Sequence, residues 1–270
     1  MEHLVLGDLS VWIERPAGKP VARLVHCHGL GEHSGRHKHT FAKLLKNGVE
    51  VFRFDHRGCG ESKGERQWME NFSDYVDDAR DVLERAKKAE PALPLFLMGH
   101  SLGGAVALYL ASERQGELKG LILSAPAFHI GEGISKTKLM IGRWLERILP
   151  HLRVPGGLDL STLSRDPQVE IDYKNDKLCC TFNTVKQVNA IMRALPKMPE
   201  KAKSLRIPLL IVHGGVDKLI PIAGSRELVE AAPVSDKIFK EFVGGYHELH
   251  NDTIKDEYTD FVAKWIKERV

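Results

Sequence analysis

Pro94-Leu95-Phe96-Leu97-Met98-Gly99-His100-Ser101-Leu102-Gly103-Gly104 is the stretch that decides the fold. Residues 94–98 form an apolar run of strand length. From Leu102 to Leu110 the chain is apolar on nearly every side, which reads as a central buried helix. Between them stands Gly-X-Ser-X-Gly. A serine on so sharp a strand-to-helix turn has a strained backbone, and neighbouring chain must approach closely. The flanking glycines remove the Cβ atoms that would collide. The Ser101 hydroxyl then stands at the C-terminal edge of a sheet, where α/β folds take their ligands. Five residues alone are a weak pattern. The strand before and the helix after make Ser101 a candidate nucleophile.

Outward from this turn, short apolar runs recur at Ala22–Cys27, Val49–Phe54, Leu121–Leu123, Pro208–Val212 and Ile238–Val243. None alternates strictly, as expected of parallel strands buried on both faces. Residues 2–15 alternate around Gly7-Asp8, which reads as a hairpin. Helical spacing joins Phe41, Leu44 and Leu45 ahead of an Asn47-Gly48 stop. It also joins Phe72, Val76, Ala79, Val82, Leu83 and Ala86, and Ile254, Tyr258, Phe261 and Trp265. Strands alternating with helices imply a mostly parallel, doubly wound sheet of the α/β class. The rhythm breaks at residues 128–203, where Gly131, Gly133, Pro155, Gly156, Gly157 and Pro167 punctuate the chain. We expect residues 1–127 and 204–270 to form the core domain and 128–203 an inserted helical cap.

Composition sets outer limits. The 270 residues are 43% hydrophobic and 28% charged, as in a water-soluble globular protein. A net charge of +3 with no block of Lys and Arg gives no argument for nucleic acid, though it permits weak attraction to an anionic membrane surface. The N-terminus carries an acid where a signal peptide carries bases, and no run is long enough to span a bilayer, so a cytoplasmic location is expected. Cys27, Cys59, Cys179 and Cys180 lack CxxC spacing and read as buried free thiols.

A serine hydroxyl needs a base, and the base needs orienting. On an elbow of this kind the partners follow in the order Ser, acid, His. Asp217 closes His213-Gly214-Gly215-Val216-Asp217 just after one apolar run. His247 follows Gly244-Gly245-Tyr246 just after the next. Both fall on the sheet edge that bears Ser101. Asp217 is the expected orienting acid, with helix capping as its ordinary alternative, and His247 the expected base. His250, on an expected helix, is the nearest rival, and His213 reads as structural. The oxyanion of a tetrahedral intermediate needs preorganised N–H donors. Leu102, directly after the nucleophile, supplies one. Leu30, in His28-Gly29-Leu30-Gly31, is nominated for the other, with His28 as a loop anchor. His26, His28, His33, His37 and His39 lack a carboxylate-supported i, i+4 set, so no metal is expected. Gly58-Cys59-Gly60 opens no phosphate-binding pattern, so no cofactor is implied.

The chain resembles the monoacylglycerol lipase and lysophospholipase branch of the α/β-hydrolases. The resemblance rests on His28-Gly29-Leu30-Gly31-Glu32-His33-Ser34-Gly35-Arg36, on Phe54-Asp55-His56-Arg57-Gly58-Cys59-Gly60-Glu61-Ser62, and on Gly99 to Gly104. Leu163-Ser164-Arg165-Asp166-Pro167, His213 to Asp217 and Tyr246 to His250 extend it over nearly the whole chain. It implies an α/β-hydrolase fold and hydrolysis of monoacylglycerols through an acyl-enzyme, under an amphipathic cap that touches the membrane. It puts the family's triad on Ser101, Asp217 and His247, its oxyanion donors on Leu30 and Leu102, and a cap tyrosine that reads the glycerol head group on Tyr173. The family's Asp-Pro-Leu-Val after that tyrosine reads Asp176-Lys177-Leu178-Cys179 here, a departure near the alcohol pocket.

The leading expectation is therefore a carboxylic-ester hydrolase acting on single-chain lipids. A short-chain carboxylesterase, lysophospholipase or thioesterase would use the same machinery. A non-catalytic receptor on this fold would lack a triad member, and none is missing. In the cap, Leu139, Met140, Ile141, Trp144, Leu145, Ile148 and Leu149 crowd one helix with Lys136, Lys138, Arg143 and Arg147 beside them. If some of the apolar side chains face outward around an acyl-chain entrance, Trp144 and Leu145 touch substrate and the helix docks on lipid. If all pack inward, they are core.

Overall fold

The computed structural model describes residues 1–128 and 136–270, with side chains from residue 140 onward in the second stretch. Gly131, Gly133 and the side chains of Lys136, Lys138 and Leu139 fall outside the described residues.

Ten strands and nine α-helices are described. The strands are β1 (Glu2–Leu6), β2 (Leu9–Glu14), β3 (Ala22–Cys27), β4 (Val49–Phe54), β5 (Leu95–His100), β6 (Gly120–Ser124), β7 (Arg153–Pro155), β8 (Phe182–Thr184), β9 (Leu209–Gly214) and β10 (Lys237–Phe242). The helices are α1 (Lys38–Lys46), α2 (Ser73–Ala89), α3 (Leu102–Arg114), α4 (Lys136–Ile148), α5 (Pro167–Asn175), α6 (Val185–Ala194), α7 (Met198–Lys203), α8 (Ile222–Ala231) and α9 (Lys255–Lys267).

Eight strands form one sheet in the order β1-β2-β4-β3-β5-β6-β9-β10. The hairpin strands β1 and β2 pair antiparallel, as does β2 with β4; every other pairing in the sheet is parallel. Every residue of β3, β4, β5, β6 and β9 is buried, which is why their sequences run apolar without alternation. The strand β10 departs from that expectation. It lies at the sheet edge and five of its six residues are only half-buried, so Lys237, Lys240 and Glu241 keep their charges near water. Helices α1 and α9 cover one face, where Phe41, Leu44, Tyr258, Val262 and Trp265 pack on the sheet. Helices α2 and α3 cover the other.

The chain leaves β3 for β4 on one side and returns to β5 on the other, so strand order reverses beside the β5 terminus, the place where open α/β sheets form a crevice. The register aligns the strand ends. Cys27 sits opposite Gly99, His100 opposite Ser124, Ser124 opposite Val212, and Gly214 opposite Phe242. Residues just past β3, β5, β9 and β10 thus emerge on one edge.

Between β6 and β9 the chain runs through α4, the antiparallel pair β7 and β8, α5, α6 and α7. Ala190, Ile191, Ala194, Met198 and Ala202, from α6 and α7, pack into the same apolar cluster as α2 and α3. α4 lies on α6, where Asn189 Nδ2 donates to the Gly142 carbonyl (2.9 Å) and Arg193 pairs with Glu146 (2.7 Å). Its other face is open: Met140, Ile141, Trp144 and Ile148 are all at least half exposed. Among the described residues no helix is long and apolar enough to cross a membrane.

Candidate active site

Ser101 follows β5 and caps α3 with φ 52° and ψ −120°, a left-handed conformation that a side chain of this kind rarely adopts. The turn is held by Ser101 N–H donating to the Ser124 carbonyl (3.0 Å) and by Ala127 N–H donating to the Ser101 carbonyl (2.9 Å). At Gly103 a Cβ would stand 2.3 Å from the carbonyl oxygens of both Cys27 and His28, so only glycine lets α3 start against the end of β3. At Gly29 a Cβ would touch the Ser101 Cβ at 3.3 Å; the loop after β3 is thereby folded onto the serine.

Ser101, His247, Leu30 and Tyr173 line one cavity of about 230 Å³. Leu102 opens α3, and the first four N–H groups of a helix have no partner within it. Such a group beside Ser101, with Leu30 across from it, is suited to receive negative charge.

The Asp217 side chain is fully buried and lies beneath His247. Its Oδ2 lies 2.7 Å from His247 Nδ1, while its Oδ1 accepts from the backbone N–H of Leu219 (2.8 Å) and Ile220 (2.9 Å). The turn-capping reading and the orienting reading of Asp217 are therefore two halves of one carboxylate. Burial alone would raise its pKa; the charge of His247 and hydrogen bonds from His213 and His247 outweigh burial and hold it well below the usual carboxylate range. For His247 burial works to lower the pKa, and the charge and hydrogen bond of Asp217 overcome it, so the ring titrates above its ordinary value. His100, with its ring 4.8 Å from that of His247, goes the other way: burial and then His247 push it well below the ordinary range.

Several sequence expectations need correction. Trp144 and Leu145 do not line the described cavity: Trp144 is 61% exposed on the outer face of α4, and Leu145 is half-buried. His250 lies in a turn rather than a helix, fully buried and stacked on His37 at 3.8 Å. Cys27 and Cys59 are buried, but Cys179 and Cys180 are only partly so; all four are free thiols. Tyr173 does line the cavity, yet its hydroxyl lies 2.7 Å from the Gly31 carbonyl and 3.0 Å from that of Cys180, so its one proton is already committed to the backbone. His28 accepts from His56 N–H at 3.0 Å, as a loop anchor would.

Sequence reasoning missed the groups behind the site. His213 Nε2 lies 3.1 Å from Asp217 Oδ2, so two histidines share that oxygen. The Arg36 guanidinium grips Glu248 with two bonds (2.6 and 2.8 Å), reaches Glu32 at 3.4 Å and lies over the Tyr173 ring. Glu32 in turn accepts from Gly29 N–H at 2.6 Å. Two of these links, His213 to Asp217 and Glu32 to Arg36, are four residues apart, a spacing the sequence shows, whereas Glu248 lies 212 residues from Arg36 and leaves no local signal.

Among the described residues two groupings could suggest a metal. In Glu32, His37 and His250 the two rings are stacked face to face at 3.8 Å and within 19° of parallel, so their in-plane lone pairs do not converge on one nearby point where an ion would sit. In His33, Asp176 and Cys179, His33 Nδ1 accepts the Gly35 N–H (3.2 Å). That leaves the ring proton on Nε2, which faces Asp176 at 2.9 Å as a donor.

A nucleophile elbow at the end of a central parallel strand, beside an acid–histidine pair, defines the class as serine hydrolases of the α/β-hydrolase fold. The chain belongs to the family described as serine aminopeptidase S33, whose model matches residues 18–254. It is 35% identical over 261 residues to a monoacylglycerol lipase of Mycolicibacterium smegmatis, covering 95% of this chain and 91% of that one. To the human monoglyceride lipase it is 34% identical, covering all of this chain and 91% of that one. Among solved structures, the monoacylglycerol lipase of Paleococcus ferrophilus superposes with a TM-score of 0.86 at 29% identity, over 96% of this chain and 99% of the other.

Proposed function

We propose that the protein hydrolyses the ester of a single-chain lipid, monoacylglycerol above others, through an acyl-enzyme on Ser101. The observation that carries this reading is the buried Asp217–His247 pair at 2.7 Å opening into the cavity that Ser101 lines. His247 Nε2 takes the Ser101 proton as the oxygen attacks the ester carbonyl. The N–H groups of Leu30 and Leu102 stabilise the oxyanion. His247 returns the proton to the departing alcohol, and a water molecule repeats the sequence to release the fatty acid. Asp217 stays ionised throughout and holds the ring's Nδ1 protonated. The resemblance to monoglyceride lipases of about a third identity supports the lipid substrate.

On this reading residues 128–203 act as the cap. The outward row of Ile141, Trp144 and Ile148, with Arg143 and Arg147 on the same helix, favours docking of α4 on an anionic lipid surface. A second reading, a short-chain esterase, is favoured by the cavity itself. About 230 Å³ is less than the roughly 300–1,000 Å³ of pockets that enclose a drug-sized ligand. A long acyl chain would have to run on past the described lining.

The test is a panel of glycerol, ethyl and nitrophenyl esters of increasing acyl length, run on wild type and Ser101→Ala. Preference for medium or long monoacylglycerols supports the lipase reading; a maximum at acetyl or butyryl supports the second. The variant should lose about 10⁴–10⁶ in kcat while keeping its fold, and a fluorophosphonate should label Ser101 alone. Strong turnover by the variant would sink both readings.

A further inference from the structure

The polar groups around the cavity can be accounted for one by one. Glu32 is held by Gly29 N–H and His37, and Glu248 by Arg36 and Asn251. His247 is bonded to Asp217, His100 to the Ser124 carbonyl, and the Tyr173 proton goes to a backbone carbonyl. Apart from Ser101, two side chains of this lining have no bonding partner in the described protein: the amide of Asn183 and the hydroxyl of Thr181, an exposed residue at the cavity's edge. Asn183 sits on β8 and is only 6% exposed. Its amide atoms are not sealed off but reach the open space of the cavity, so their donors and acceptor are available to a polar group that enters it.

We propose that Asn183, assisted by Thr181, is the specificity-determining group that reads the alcohol part of the substrate, and that the alcohol is a neutral polyol. This deepens the single-chain lipid reading and rests on it. An amide offers donors and an acceptor together, as does a hydroxyl, so the pair matches an alcohol bearing free hydroxyls. A phosphate-bearing head group is excluded by charge. No lysine or arginine lines the described cavity, two carboxylates do, and the nearby Arg36 is committed to Glu248. Tyr173, which the family resemblance assigns to the head group, has its proton engaged elsewhere. The peptide of Cys180, next to Thr181, donates to the Gly31 carbonyl at 2.8 Å, so this strand segment is tied directly to the loop carrying Leu30 and lies beside the reacting centre.

The experiment compares kcat/KM for decanoylglycerol, ethyl decanoate and decanoyl-lysophosphatidylcholine on wild type, Asn183→Leu, Asn183→Ala and Thr181→Val. Wild type should prefer the glyceryl ester. Both Asn183 variants should lower the glyceryl-to-ethyl ratio by about three- to tenfold, the worth of one hydrogen bond between neutral groups, and mainly through KM. Thr181→Val should lower it less. Thermal melting accompanies each variant, and the alanine form decides if the leucine form does not fold. A glyceryl-to-ethyl ratio left at its wild-type value in the folded Asn183 variants overturns the proposal while leaving the lipase reading intact. Wild type that turns over the phosphocholine ester as well as the glyceryl one overturns the neutral-polyol assignment. Wild type with no preference for the glyceryl ester over the ethyl one overturns this inference and the monoacylglycerol reading together.

Discussion

Asp217 carries four donors on two oxygens: the Leu219 and Ile220 amides on one, His247 and His213 on the other. His213 Nε2 faces two acceptors, Asp217 Oδ2 and the Ile220 carbonyl at 3.0 Å, so the ring proton sits there and Nδ1 accepts from Ser225 Oγ–H (2.7 Å). Three expected outcomes rest on this arithmetic. The His247 pKa is raised by Asp217 against the pull of burial, and the base works only when neutral, so kcat/KM should fall with acid through an apparent pKa above the ordinary ~6.5 of histidine. Asp217→Asn should move that limb to lower pH, because the charge that favours protonated His247 is gone, and should drop the plateau by about 10⁴ because the wrong tautomer is favoured. An unmoved limb would show that another group sets it. Removing the His213 donor acts oppositely. In His213→Phe the Asp217 charge is shared among fewer donors and more of it faces His247, so the acid limb should shift upward, with a loss of about three- to thirtyfold in kcat/KM, about one to two kcal/mol for a charge-assisted hydrogen bond. His213→Gln, which keeps an N–H donor, should recover part of both. A limb that stays put in His213→Phe while only the melting temperature falls would make His213 purely structural.

At the scale of elements, the informative one is α4. Its docking on α6 uses Gly142, Glu146 and the Asn189 and Arg193 side chains, which leaves Ile141, Trp144 and Ile148 outward at helical spacing. Burying these three in a lipid interface would remove apolar surface from water without disturbing the protein's own packing. Replacing all three by serine should therefore weaken sedimentation with phosphatidylglycerol vesicles by at least about tenfold, on the order of 1.4 kcal/mol out of the roughly 1.5–3 kcal/mol each side chain could contribute. The melting temperature should hardly move. A drop of several degrees with vesicle binding intact would mean that the row packs against protein. The half-buried Leu145 belongs to the inner side of the helix and is left out of the substitution.

Across the whole molecule, Arg36 joins parts that are far apart in the chain. From the segment after β3, where it also meets Glu32 four residues before it, it reaches through Glu248 the loop after β10, and its guanidinium lies 4.7 Å from the centre of the Tyr173 ring on α5. Its side chain is 8% exposed and both carboxylates 3%. Taking the cation away would leave Glu32 and Glu248 buried without it, so Arg36→Ala should cost about 3–5 kcal/mol of unfolding free energy in urea. Arg36→Lys should recover only part, since an ammonium cannot make the two-pronged contact with Glu248. A loss below about 1 kcal/mol in the alanine variant would show that water replaces the guanidinium.

How much was legible beforehand follows from the range of the forces involved. The elbow around Ser101, the strands on either side of it and the order Ser101, Asp217, His247 could be read because they are written locally. An apolar run of strand length, glycines where a Cβ would collide, and polar residues just past each strand carry their meaning within about ten positions, and a parallel sheet then brings every such strand end to one edge. The exposed character of β10 was hidden, since the same Ile-Phe-Lys-Glu-Phe run suits a central or an edge strand and only the count of neighbours decides. The turn at His250 and the Arg36–Glu248 link were hidden for a related reason: each depends on which side chain arrives from a distant segment. The second histidine on Asp217 is only four residues away, but its spacing alone does not say that the turn points both rings at one oxygen. Composition set out the apolar crowd on α4, but not which half would face α6. The sequence by itself determined the sheet, the elbow and the residue types at its edge. Only the tertiary structure decided which polar groups are satisfied by the protein and which, like the Asn183 amide, are left for something else, because hydrogen-bond saturation is a property of packed neighbours and not of order along the chain.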